Sequence, residues 1–101
     1  LEGGLVRSVP LPETLLQEAY ALAAKIVRHS PVAIALSRHM LYRCAAQAHP
    51  VEAHKVDSLA IFYASQTSGQ EGVASFREKR DAVFSDRTST DMPPFYPWWN
   101  D

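Results

Sequence analysis

Residues 71–84 read EGVASFREKRDAVF. Small apolar side chains, aromatic rings and three basic residues share this short stretch. Side chains three and four apart on a helix are neighbours, so Phe76, Lys79 and Arg80 share one helical edge. Two readings follow. A purine can stack on the Phe76 ring while an ammonium or guanidinium pairs with a phosphate. Alternatively, Phe76 is a core residue beside solvated Lys and Arg. Residue type alone leaves both open.

Immediately upstream, Ser68-Gly69-Gln70-Glu71 has the Ser-x-x-Glu spacing of a capping box. The spacing predicts a fourth helix over 69–80. Gly72 inside it costs about 1 kcal/mol relative to Ala, so close packing or the approach of a ligand is expected there. A third helix is expected over 51–65, after the break at His49-Pro50, with Val56, Leu59, Ile61, Phe62 and Tyr63 making it apolar toward its end. Ser30-Pro31 is a cap followed by Pro in the first helical turn, which opens a second helix over 31–47. Leu15, Ala19, Leu22, Ala23 and Ile26 form one stripe of a first helix over 12–29. Its last turn carries Lys25, Arg28 and His29, where the helix dipole favours cations. Before it, Leu5 to Val9 has strand-like character but no partner stretch, so its backbone is expected to be irregular or to pair outside this sequence.

The remaining bounds are coarse. The chain has 101 residues, 47% hydrophobic, with a net charge of −1. That charge argues against the broad basic field of nonspecific nucleic-acid binders. Cys44 is the sole cysteine, so no internal disulfide forms and nothing suggests secretion; a cytoplasmic location is expected. No apolar run is long enough to span a bilayer. His29, His39, His49 and His54 lack the spacing that puts two imidazoles on one helical face, so no metal site is expected. Glu52 and Asp57 do not share a helical edge, Cys44 sits in an apolar helix, and no GxSxG elbow exists. No catalytic residue is therefore assigned. After Asp86 the sequence RTSTDMPPFYPWWND has no helical period, but Phe95, Tyr96, Trp98 and Trp99 are expected to dock on a surface.

Three stretches, taken in order, resemble the C-terminal region of the enoyl-CoA hydratase/isomerase (crotonase) family. GLVRSVPLPETLLQEAYALAAKI at 4–26 is similar to the family's Gly-Leu-Val strand and following helix. SPVAIALSRHML at 30–41 is similar to its Ser-Pro-opened helix, with Arg38 at a common Lys/Arg position. EGVASFREKRDAVF resembles its closing Glu-Gly-x-x-Ala-Phe-x-Glu-Lys-Arg signature, with Ser75 where Ala is usual.

The resemblance implies an all-α chain: three to four helices after a short extended segment, with residues 1–11 leading in from a missing core, 12–80 forming a helical assembly region and 81–101 an aromatic, Pro-rich tail. It implies a parent enzyme, a lyase or isomerase of fatty acid metabolism, that acts on acyl-CoA thioesters. Coenzyme A then enters as part of the substrate, and no separate cofactor is expected. Oxyanion donors and acid–base carboxylates would lie upstream, leaving this chain inactive alone. Phe76 would flank the adenine of CoA and Lys79 would approach a phosphate. A second stacking aromatic common in the family is replaced by Ala60. The parent would be a trimer or hexamer, with neither nucleic acid nor membrane as partner. The rival expectation is a free-standing helical assembly module with no ligand.

Overall fold

The computed structural model of the chain describes residues 2–97. Four helices follow one another: α1 (Leu15–Ile26), α2 (Pro31–Ala45), α3 (Pro50–Gln66) and α4 (Ser68–Glu78). No strand occurs among the described residues, so the fold is all-helical, as the resemblance implies. The Leu5–Val9 segment is irregular and exposed.

Local chemistry sets the helix starts. Ser30 accepts the Ala33 N–H on its Oγ at 3.1 Å and Pro31 takes the first helical position of α2. His49 does the same for α3, its Nδ1 accepting the Val51 N–H at 3.1 Å, with Pro50 next. The first helix is shorter than its stripe suggests. Pro12 and Glu13 lie in a turn, and Thr14 Oγ1 donates back to Leu11 O at 3.2 Å instead of capping the helix. The Ser68/Glu71 capping box does not form: α4 has no side-chain cap hydrogen bond, and both side chains are engaged elsewhere.

The core lies between α2 and α3. Val32, Leu36 and Ala60 are buried together, with Met40, Tyr63, Met92 and Tyr96 packed against them. Leu36 and Pro93 are the largest fully buried side chains. The tail therefore closes the core. Tyr63 Oη donates to Asp91 O at 3.0 Å, the Tyr96 hydroxyl lies 2.8 Å from His39 Nε2, and the Phe95 ring meets Tyr63 edge-on at 6.1 Å. Phe95 and Tyr96 dock as the sequence suggests, while Trp98 and Trp99 lie outside the described residues.

No residue of α1 is buried. Leu15, Leu16, Tyr20 and Ile26 are exposed, as is Val27 just past the helix, so the stripe that should bury against a neighbour stays largely uncovered among the described residues. The radius of gyration, 16.6 Å, exceeds the roughly 13 Å of a compact chain of this size, so the helices do not enclose a self-sufficient globule.

Two glycines separate close packing from open space. A Cβ on Gly69 would sit 2.5 Å from the Ala64 carbonyl oxygen, because α4 restarts directly under the last turn of α3. A Cβ on Gly72 would meet nothing within 4 Å, which corrects the packing rationale for that residue. The two Ala substitutions should thus have opposite signs. Gly72→Ala is expected to raise stability by roughly 0.5–1 kcal/mol, and Gly69→Ala to lower it by about 1–3 kcal/mol. Urea unfolding midpoints measure both, and shifts of the same sign would contradict this packing.

Candidate functional site

The EGVASFREKRDAVF stretch closes on itself before it presents anything. Glu71, in the first turn of α4, receives the Arg80 guanidinium on both carboxylate oxygens, with Nη2 to Oε2 at 2.9 Å. Its Oε1 also accepts the Val83 N–H at 2.8 Å. Arg80 Nε donates to Glu78 as well. The Arg80 guanidinium, helped by the Val83 N–H, holds the Glu71 carboxyl well below its ordinary value, at about 2. The same carboxylates, Glu71 first and then Glu78, raise the Arg80 guanidinium above its ordinary value. Arg80 is therefore committed to closing the helix and is not an open cation. Ser75, at the family's Ala position, is buried, and its hydroxyl donates to the Gly72 carbonyl at 3.0 Å.

The helix ends in a Schellman turn. Arg80 N–H bonds Ser75 O at 3.1 Å and Lys79 N–H bonds Phe76 O at 3.3 Å. Lys79 occupies the left-handed position, φ 53° and ψ 42°, where glycine is usual. Its placement three residues after Phe76 is thus not a simple helical i, i+3 relation, because the helix stops at Glu78. Phe76 itself is 85% exposed, which rules out the core reading of that ring among the described residues.

Phe76 lines a cleft of about 830 Å³ between the end of α1 with the turn after it and α4 with the segment that follows it, where Phe84 is a second aromatic. Lys25, Arg28 and His29 line the α1 side, and Gly72 and Asp81 the other. Its volume falls in the range of small-molecule sites. Lys79 is exposed but does not line it. Lys25, and Arg28 and His29 just past the end of α1, were legible in the sequence only as cations favoured by a helix C-terminus. Their approach to Phe76 depends on how α1 lies against α4. Arg28 Nη2 reaches Asp81 Oδ1 at 3.3 Å in an exposed ion pair, while Lys25 makes no ion pair among the described residues.

The other candidates of the sequence fall away from this cleft. Ala60 is a core residue and cannot stack on a ligand. Cys44 is half-buried in an apolar groove with Met40 and Leu41. Glu52 pairs with Lys55 at 2.8 Å and Asp57 with His54 at 3.1 Å, both at the surface. No cluster of His, Cys, Asp and Glu among the described residues could hold a metal ion, and no helix among them is long and apolar enough to cross a membrane.

A solved structure from Mycobacterium abscessus, a "putative enoyl-CoA hydratase/isomerase", shares this fold with a TM-score of 0.66 at 30% sequence identity. The match covers 78% of this chain and 32% of that one, so the chain spans about a third of that protein's length. No family model and no curated protein matches. The likeness in fold and sequence supports a crotonase-like relationship for the helical chain.

The Glu71 clamp has a defined acid dependence. The folded-state value of about 2 lies below the ordinary 4.5, so its stabilisation is complete above about pH 4.5 and is lost as pH falls toward 2. Carboxyl NMR titration should place the Glu71 midpoint near 2, and Glu71→Gln should flatten the acid side of the stability profile between those values. A Glu71 midpoint near 4.5 in the folded chain would show that the clamp is not formed.

Proposed function

We propose that this chain is the C-terminal helical region of an enoyl-CoA hydratase/isomerase-type enzyme, and that it holds the nucleotide end of an acyl-CoA while helping to assemble subunits. The observation that carries this reading is the ring of Phe76, solvent-facing at the mouth of a cation-lined cleft, in a chain whose fold and sequence match part of a structure bearing that name. A flat apolar ring gains by stacking on adenine. Lys79, held at the turn directly after the helix, presents a compact ammonium to a phosphate.

The chemistry of thioester processing belongs elsewhere in this reading. Glu71, Glu78 and Asp81 are in ion pairs with arginines, and Glu52 and Asp57 pair at the surface with Lys55 and His54. None of these carboxylates has the sheltered setting that acid–base catalysis needs. What these residues contribute is binding energy at a distance from the reacting atoms, which an enzyme uses to hold the thioester in register with its catalytic groups. The exposed apolar face of α1 supports an assembly role, since an amphipathic helix buries that stripe against another surface. Cytoplasmic fatty acid metabolism is the setting this reading implies.

The test separates the nucleotide from the acyl group. In the full-length enzyme, Phe76→Ala and Lys79→Gly should each lower kcat/KM for an acyl-CoA by about three- to tenfold, the scale of one stacking or one charged contact. Neither should alter turnover of the matching acyl-pantetheine, which lacks the nucleotide. Glycine suits the left-handed backbone at 79, so a loss in Lys79→Gly reports the missing ammonium and not a broken turn. The 101-residue chain alone should not hydrate crotonyl-CoA. Equal losses on acyl-CoA and acyl-pantetheine would refute the assignment, as would turnover by the chain alone.

A further inference from the structure

We propose that the end of α1 and the turn that follows it supply a phosphate-binding subsite of this same nucleotide cleft, with Lys25 and Arg28 as its cations. The inference rests on the nucleotide reading above and deepens it by assigning a role to two named cations about fifty residues before Phe76 in the sequence.

Several observations lead to it. Lys25, Arg28 and His29 line the cleft opposite Gly72 and Phe76, so a ring stacked on Phe76 would carry its substituents toward α1. Arg80, the basic residue closest in sequence to Phe76 on that wall, is engaged by Glu71 on two oxygens and by Glu78. Its charge is thus shared between two carboxylates, and four of its five N–H donors are taken by Glu71, Glu78 and the Asp81 carbonyl. Lys25 has no ion-pair partner among the described residues. Arg28 has only Asp81, at 3.3 Å, with 69% and 92% of the two side chains exposed. An ion pair so open to water is weakly held, and a dianionic phosphate competes well for a guanidinium. Space is also kept clear there, since a Cβ on Gly72 would meet nothing within 4 Å.

The ligand class follows from the lining: a purine nucleoside bearing a phosphate within reach of α1. Asp81 is then a competitor for Arg28. This gives the subsite a signature that a merely structural role for Lys25 or Arg28 lacks, namely tighter binding when the competing charge is removed.

Adenosine 3′,5′-bisphosphate and adenosine, titrated calorimetrically into the full-length protein, test the assignment. Lys25→Ala and Arg28→Ala should each weaken the bisphosphate by about three- to fivefold and leave adenosine unchanged, the scale of a partly screened ion pair. Asp81→Asn should tighten the bisphosphate about twofold, again without effect on adenosine. Unchanged bisphosphate affinity in the Lys25→Ala, Arg28→Ala double variant, alongside a loss in Lys79→Gly, overturns the subsite and leaves the nucleotide reading standing. Failure of the unsubstituted protein to bind bisphosphate or coenzyme A overturns both.

Discussion

The course of the described chain after α4 depends on two carboxylates. Glu71 reaches from the first turn of α4 to Arg80 and to the Val83 N–H, and fixes where the chain turns back. Asp86 then ends the return: its Oδ2 receives the Ser30 hydroxyl at 2.5 Å and the Val32 N–H at 3.1 Å. The Ser30 hydroxyl has one proton. An ionised Asp86 cannot donate, so that proton goes to the carboxylate, and the Ser30 oxygen takes the Ala33 N–H and shares a 3.0 Å contact with Ser68 Oγ. The knot joins the N-termini of α2 and α4 to the return segment. Between these two anchors, 81–86 needs no strand partner to be held. Beyond them the chain arrives over Leu36 with Pro93, Met92 and Tyr96 in place to cover it. Charge-assisted hydrogen bonds suit this task, being short and directional where packing alone would leave the return free to slide.

What was legible in the sequence was what depends on near neighbours. Ser30-Pro31 and His49-Pro50 each act within three residues, and both helix starts follow from them. The all-helical class and the order of the four helices were legible for the same reason. The failure of the capping box is instructive. Ser68 and Glu71 have the right spacing, but capping offers Glu71 a single backbone N–H, whereas Arg80 offers two charge-assisted bonds and Val83 a third. A local rule lost to a better partner nine residues on. Asp86 left no local mark at all, because its partners lie more than fifty residues upstream. Lys25 was read correctly as a cation in the last turn of α1, whereas Arg28, expected in that turn, lies past the helix end at Ile26; the place of both beside Phe76 is a property of how α1 lies against α4.

The energetics of the chain are uneven. α2, α3 and the tail bury a compact cluster, while α1 buries nothing and leaves Leu16, Tyr20 and Val27 at 70%, 73% and 75% exposure. At roughly 25 cal/mol per Å² of apolar surface, one such side chain brought into contact contributes on the order of 1–3 kcal/mol, a sizeable fraction of the roughly 5–15 kcal/mol that a domain holds against unfolding. A stripe of them left in water is therefore a surface shaped for something. The same logic does not extend to Phe76. Its ring lines a cleft with Phe84, across from Lys25, Arg28 and His29, and a ring facing cations in this way suits a small planar anion better than a wholly apolar helix face.

Three departures from local preference fall within eight residues. Gly72 weakens a helix interior without any packing demand for it, Phe76 exposes its ring, and Lys79 takes a left-handed conformation that favours glycine. Each carries a cost of about 1 kcal/mol or more in the folded chain. Nearby, by contrast, Ser75 is buried with its hydroxyl satisfied, and Glu71 and Arg80 are fully paired. Sequences break local rules chiefly where function requires it. Here the residues that obey the rules form the clamp, while of those that break them Gly72 and Phe76 line the cleft and Lys79 is exposed at the helix end. The signature 71–84 thus has two separable duties: Glu71, Ser75 and Arg80 build a rigid helix end, and Gly72, Phe76 and Lys79 sit on that end as an open place, an exposed ring and a raised charge. Rigidity in the first set is what fixes the backbone positions of the second, and under the proposed function it is from those positions that ring and ammonium would meet base and phosphate.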